Sequence, residues 1–137
     1  MAGNALTIDA AAQGPTMVVF LAHSCPHCNA EIPVLIDWMA SGGLPEGLQI
    51  MGVPTAVSRN AVNYPPDEWL AGRGWPWPVL VDESSGDGGA GTAAEAFGAT
   101  AWPYLVIIGA DGLVKVRATG EQTIDELTQL VSAALGT

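Results

Sequence analysis

Positive charge is scarce in this 137-residue chain: Lys115, Arg117, Arg59 and Arg73 are its only basic side chains apart from two histidines, against 14 acidic residues, for a net charge of −10. Nucleic-acid binding needs basic clusters to neutralise phosphates, so a nucleic acid is a poor partner. An anionic membrane surface is a poor partner for the same reason. Long apolar runs are also missing. No stretch reaches the roughly 18 residues of a membrane-spanning helix, and Met1–Ile8 lacks the basic and apolar regions of a secretory signal. The fold is expected to start almost where the chain starts, as in a mature or trimmed form. Cysteine is nearly absent, and the only two, Cys25 and Cys28, stand two residues apart.

What is present is apolar enough for a core. Hydrophobic residues make up 49% of the chain, which excludes a disordered polymer. The length suits a single domain over residues 1–137, with no internal repeat. Met17–Ala22 is a continuous apolar run, the pattern of a strand buried on both faces. Ile32, Leu35, Ile36 and Met39 then recur with helical spacing until the glycines at 42 and 43. Further strands are expected at Leu48–Val53, Val79–Val81 and Tyr104–Ile108. Asp111-Gly112 signals a turn into a half-wet strand where Val114, Val116 and Ala118 alternate with Lys115 and Arg117. Thr123 and Glu126 form a capping-box pattern ahead of an apolar stripe of Ile124, Leu127, Val131 and Leu135. A short helix is expected from Pro66 to about Ala71, and a mobile glycine-rich loop over Glu83–Gly91. The fold class is α/β: a mixed central sheet with helices on both faces, parallel early strands, and a C-terminal antiparallel hairpin followed by a helix.

The cysteines sit between the first strand and the first helix. A C-x-x-C pair there reads as a redox dithiol. Cys25 falls at the helix N-cap and Pro26 at its first position, where proline costs nothing. The unpaired N–H groups and positive dipole end favour a thiolate at Cys25. Cys28, one turn further in, is within reach for a disulfide but more buried. Other readings are weaker. A structural disulfide closing so short a loop would stabilise little. A zinc site needs about four ligands, and only His23 and His27 are on hand to help. Two core thiols would need no such placement.

Strand, C-P-H-C, helix with Glu31 and Pro33, then A-W-P-Y before a strand and a D-G hairpin, together resemble the thioredoxin fold. The spacing C-x-x-C-x-x-E-x-P is similar to the TlpA/ResA branch of extracytoplasmic thiol–disulfide oxidoreductases, over roughly Met17 to Leu135. C-P-H-C is also the active-site tetrad of the DsbA oxidants, whose large helical insertion is missing here. The resemblance implies that Cys25 is the nucleophile, Cys28 the resolving cysteine, and Pro103 the cis-proline lying against the disulfide. It implies that Glu31 is a partly buried acid able to exchange a proton with Cys28, and that Pro33 kinks the helix. His27, between the cysteines, is expected to stabilise the Cys25 thiolate with its N–H and partial charge. Ser24 stands where the family often has tryptophan, and Trp102 before Pro103 is expected either to take over shielding of the site or to pack on the sheet edge; both are candidates for substrate contact. Trp38, Trp69, Trp75 and Trp77 read as core or loop anchors.

The expected function is exchange of the dithiol with protein thiols or disulfides, without cofactor or metal, by a monomer facing the periplasm or cell envelope and tethered, if at all, through a segment this chain does not contain. A relatively oxidising potential follows from His27. The alternatives are a dedicated reductant of the cytochrome-maturation type and, from another class, a copper metallochaperone using Cys25, Cys28 and a histidine. The copper-delivery relatives of this fold tend to use C-x-x-x-C with a distant histidine, and here no histidine lies beyond His27. A peroxidase reading lacks a separate peroxidatic cysteine.

Overall fold

The computed structural model describes residues 14–83 and 89–136. The first strand, β1, is Thr16–Leu21, buried at every position. It pairs in parallel with β2, Gln49–Pro54, and antiparallel with β3, Tyr104–Ile108, which in turn pairs antiparallel with β4, Val114–Thr119. The sheet order is β2-β1-β3-β4. Strand β1 is thus internal to the sheet, which is why it is apolar from Met17 to Leu21.

The two-residue alternation of β1 sorts its side chains into two layers. Met17, Val19 and Leu21 face helices α1 (Pro26–Ala40), α2 (Pro66–Gly72) and α4 (Ile124–Leu135), packing with Ile32, Leu35, Trp38, Leu70, Leu127 and Val131. Val18 and Phe20 face the other way, toward Met51, Val53, Tyr104, Val106 and the short helix α3 (Thr92–Ala96) through Ala94. Helices therefore cover both faces, three against one. Helix α4 starts at the Thr123–Glu126 capping box, with both of its reciprocal bonds formed. Strand β4 is mostly exposed, with only Val116 and Ala118 half-buried.

One expected strand is cut short. Val79–Val81 lies along the outer edge of β2, but only Gly52 and Val79 form a parallel bridge. Gly52 N–H donates to the Pro78 carbonyl and Leu80 N–H to the Gly52 carbonyl, both at 2.9 Å, and Asp82 N–H donates to the Pro54 carbonyl at 2.8 Å. The bond missing from this series is the one that would run from residue 54 to the Leu80 carbonyl. Pro54 has no N–H to give, so the ladder stops there. The edge is further shaped by Trp75, because a side chain at Gly52 would place its Cβ 2.7 Å from the indole Cζ2.

Asp82 closes the base of the glycine-rich segment from the other side. Its carboxylate accepts the N–H groups of Ala93 and Ala94 at the start of α3, at 2.8 and 3.0 Å, and the Thr55 hydroxyl at 3.0 Å. Of the loop expected to be mobile over Glu83–Gly91, residues 84–88 lie outside the described residues, as does Met1–Ile8. Among the described residues no helix is long and apolar enough to cross a membrane.

Candidate active site

The dithiol sits at the junction of β1 and α1. Cys25 is the N-cap of α1 in extended conformation, with φ −87° and ψ 119°, and Pro26 follows as the first helical residue. Ordinary capping chemistry is absent at this position, because the N-cap residue makes no side-chain cap bond. The sulfur stands beside the helix N-terminus, whose orphan N–H groups favour negative charge. Cys25 is half-buried, whereas Cys28 is fully buried, and both are reduced. Burial pushes the Cys28 thiol far above its ordinary range, and the neighbouring Cys25 and Glu31 push the same way. Against them, Ala22 N–H donates to Cys28 Sγ at 3.4 Å. Cys28 is therefore the sulfur that keeps its proton.

Glu31 lies three residues after Cys28, on the same side of α1. It is buried, at 3% exposure. Its Oε2 accepts the Gln122 N–H at 2.8 Å, while Oε1 has no partner among the described residues. Burial pushes its pKa up to about 7, helped by the negative charges of Glu121 and Glu126 and opposed by the Gln122 hydrogen bond. A carboxyl poised near neutrality can hold or release a proton beside Cys28. Pro33 lies inside α1 on its exposed side.

The loop before β3 completes the site. The Trp102–Pro103 peptide bond is cis. Cys25 Sγ lies 3.7 Å from the Trp102 carbonyl oxygen. The indole of Trp102 packs, half-buried, where the two core layers meet, so this residue reaches the sulfur with its backbone. Ser24 is exposed beside Cys25.

His27 is exposed, and its Nδ1 faces Glu121 Oε2 at 2.6 Å across an open surface rather than Cys25. A carboxylate is a stronger acceptor than a thiol, and Glu121 sits on the segment that follows β4, directly across from the first turn of α1.

Several residues of the site carry no motif in the sequence. His23 is fully buried. It donates from Nδ1 to the Val62 carbonyl at 2.7 Å and accepts the Ser58 N–H at Nε2 at 3.1 Å. A carbonyl only accepts, so the proton is on Nδ1 and the ring is neutral. The His23 carbonyl accepts from the Asn63 side chain at 2.9 Å, and Tyr64 meets the ring edge-on at 5.9 Å. His23 thus clips residues 58–64 to the turn that carries Cys25, with both nitrogens used, so it is not open to a metal. Among the described residues no group of three or more metal-ligating side chains comes together. Asn29 bridges α1 to α2, donating to the Cys25 carbonyl at 3.1 Å and accepting the Trp69 indole N–H at 3.0 Å. The conformation of the 119–122 turn and the 23–64 clip are tertiary relationships that local pattern does not encode.

No protein-family model and no curated protein sequence matches the chain. Solved structures do. A thioredoxin-like superfamily protein superposes with a TM-score of 0.77 at 21% identity, covering 99% of this chain and 89% of that one. A thiol–disulfide isomerase from Corynebacterium glutamicum gives 0.74 at 16% identity, covering 98% and 90%. A secreted Mycobacterium tuberculosis disulfide oxidoreductase, homologous to Escherichia coli DsbE, gives 0.64 at 22% identity, covering 88% and 82%. The fold is thioredoxin-like.

Proposed function

We propose that the chain is a thiol–disulfide oxidoreductase that exchanges electrons with cysteines of protein partners. The observation that carries this reading is the asymmetry of the dithiol: a reachable Cys25 at a helix N-terminus, with a buried, proton-retaining Cys28 one turn inside. In the reducing direction the Cys25 thiolate attacks a partner disulfide, forming a mixed disulfide and expelling one partner thiolate. Cys28 then gives its proton to Glu31 and attacks Cys25 Sγ. The second partner sulfur leaves as a thiolate, and two electrons have passed from Cys25 and Cys28 to the partner. The oxidising direction is the same sequence reversed. Trp102-Pro103, facing Cys25 through the backbone, is the surface against which the partner strand is read.

The spacing C-x-x-C-x-x-E-x-P and the secreted oxidoreductase among the structural neighbours support a TlpA-like protein acting outside the cytoplasm. The C-P-H-C tetrad, which the chain shares with the DsbA oxidants, supports a relatively oxidising dithiol. The pairing of His27 with Glu121 supports the other direction, a dedicated reductant, because the carboxylate neutralises the charge His27 would offer Cys25. Trapping tests the shared mechanism: Cys28→Ala should accumulate mixed disulfides through Cys25, identifiable by mass spectrometry. A Cys28→Ala protein that captures nothing, while Cys25→Ala does, would reverse the roles.

A further inference from the structure

Three consecutive residues after β4 touch three separate parts of the site. Gly120 N–H donates to the Pro103 carbonyl at 2.8 Å. Glu121 pairs with His27 at 2.6 Å. Gln122 N–H donates to Glu31 at 2.8 Å. The segment is itself braced. Gly120 takes a φ of 88°, which favours glycine, and the Gln122 side chain turns back to the carbonyls of Thr119 and Gly120 at 3.3 and 3.1 Å. Directly after it, the Thr123 capping box anchors the chain to α4.

Two of those three links are backbone N–H groups, which any residue could supply. The third depends on the side chain of Glu121. We propose that Glu121 is a positioning residue for the dithiol: through His27 it ties the first turn of α1 to the 120–122 segment, and it thereby holds the Gln122 N–H on Glu31 beside Cys28. The inference rests on the oxidoreductase reading for its purpose, but the arrangement itself is a property of the reduced protein.

The charge of Glu121 has a second effect. Glu31 is faced by Cys28 on its own helix, by Glu121 from the segment after β4, and by Glu126 from α4. Glu121 is the member of this set that pairs with the first turn of α1, through His27. Removing its charge relieves repulsion on Glu31, so ionised Glu31 becomes easier to form. Removing the whole side chain also loosens the segment.

The test is a carboxyl-carbon NMR titration of Glu31 in the reduced full chain, with amide exchange at Gln122 recorded on the same samples. Glu121→Gln should lower the Glu31 midpoint by on the order of half a pH unit, the size of one charge acting through largely aqueous surroundings. Glu121→Asp should restore the midpoint. Glu121→Ala should in addition speed exchange at the Gln122 amide several-fold, while exchange in the central strand β1 stays unchanged and so reports an intact fold. A Glu31 midpoint that is the same in the wild type and Glu121→Gln, or a Gln122 amide equally protected in Glu121→Ala, would overturn the proposal. Neither readout involves a partner protein, so loss of the trapping reaction would sink the functional reading without touching this result.

Discussion

The thiol of Cys25 lies 3.7 Å from the carbonyl oxygen of Trp102, which belongs to the cis Trp102–Pro103 peptide itself. The contact requires a proton on sulfur, since a carbonyl only accepts. A Cys25 thiolate would lose it and be repelled by the oxygen.

The two thiols should differ sharply in reactivity. With Cys28 buried and its pKa pushed up, its thiolate is rare at pH 7. Iodoacetamide should modify Cys25 more than ~10-fold faster than Cys28, since each unit of pKa separates the thiolate populations tenfold. Peptide mapping after a short pulse measures the ratio. Equal rates, or faster labelling of Cys28, would overturn the assignment of Cys25 as the nucleophile.

Glu31 should make stability fall as pH rises. Its pKa is raised from 4.5 to about 7 in the folded protein, so the native state binds this proton more tightly than the unfolded chain. The contribution is complete below about pH 4.5 and is lost progressively up to pH 7, with an upper bound of about 3 kcal/mol. Glu31→Gln should therefore be more stable than the wild type at pH 8, by about 1–2 kcal/mol, and equal to it near pH 4. The same variant should slow the release of partners from mixed disulfides around neutral pH. Urea unfolding at the two pH values checks the first part; a wild type already as stable as the variant at pH 8 contradicts it.

The redox potential decides the direction of electron flow. Known poise runs from about −270 mV for thioredoxin to about −120 mV for DsbA. The proposed oxidising dithiol should fall in the upper half of this range, and His27→Pro should make it more negative. Equilibration with glutathione, followed by tryptophan fluorescence, gives the value. A potential at or below that of thioredoxin would select the reductant.

The clip around His23 should matter for stability rather than for sulfur chemistry. His23→Ala removes the donor to the Val62 carbonyl and the acceptor of the Ser58 N–H in a fully buried position. The expected cost is about 2–4 kcal/mol. Limited proteolysis should then cut first within residues 56–65. An unchanged midpoint in urea would show that other bonds hold this loop.

Much of this arrangement was legible from local pattern. MVVFL is apolar at every position because both faces of β1 are covered, and Thr123-Ile124-Asp125-Glu126 carries its own N-cap. The N-cap place of Cys25 and the deeper place of Cys28 were legible from helix geometry, whereas the burial of Glu31 was legible only through the family resemblance. Val79–Val81 misled because a strand also depends on its neighbour, and the neighbour offers Pro54. The orientation of His27 depends on Glu121, 94 residues away in the chain, and no local pattern links them. Helix α3 is likewise capped by Asp82, from the far side of the glycine-rich segment.

Pro54 has a wider consequence at the rim of the sheet. A β-sheet grows by templating: each edge offers a row of donors and acceptors to whatever extended chain comes next. Here the segment beyond β2 is joined by a single bridge, and prolines at 54, 76 and 78 remove donors from both sides of the seam. A foreign strand meeting that rim finds no regular row to copy. The β2 side of the sheet is thereby closed to strand addition without a further element to cover it.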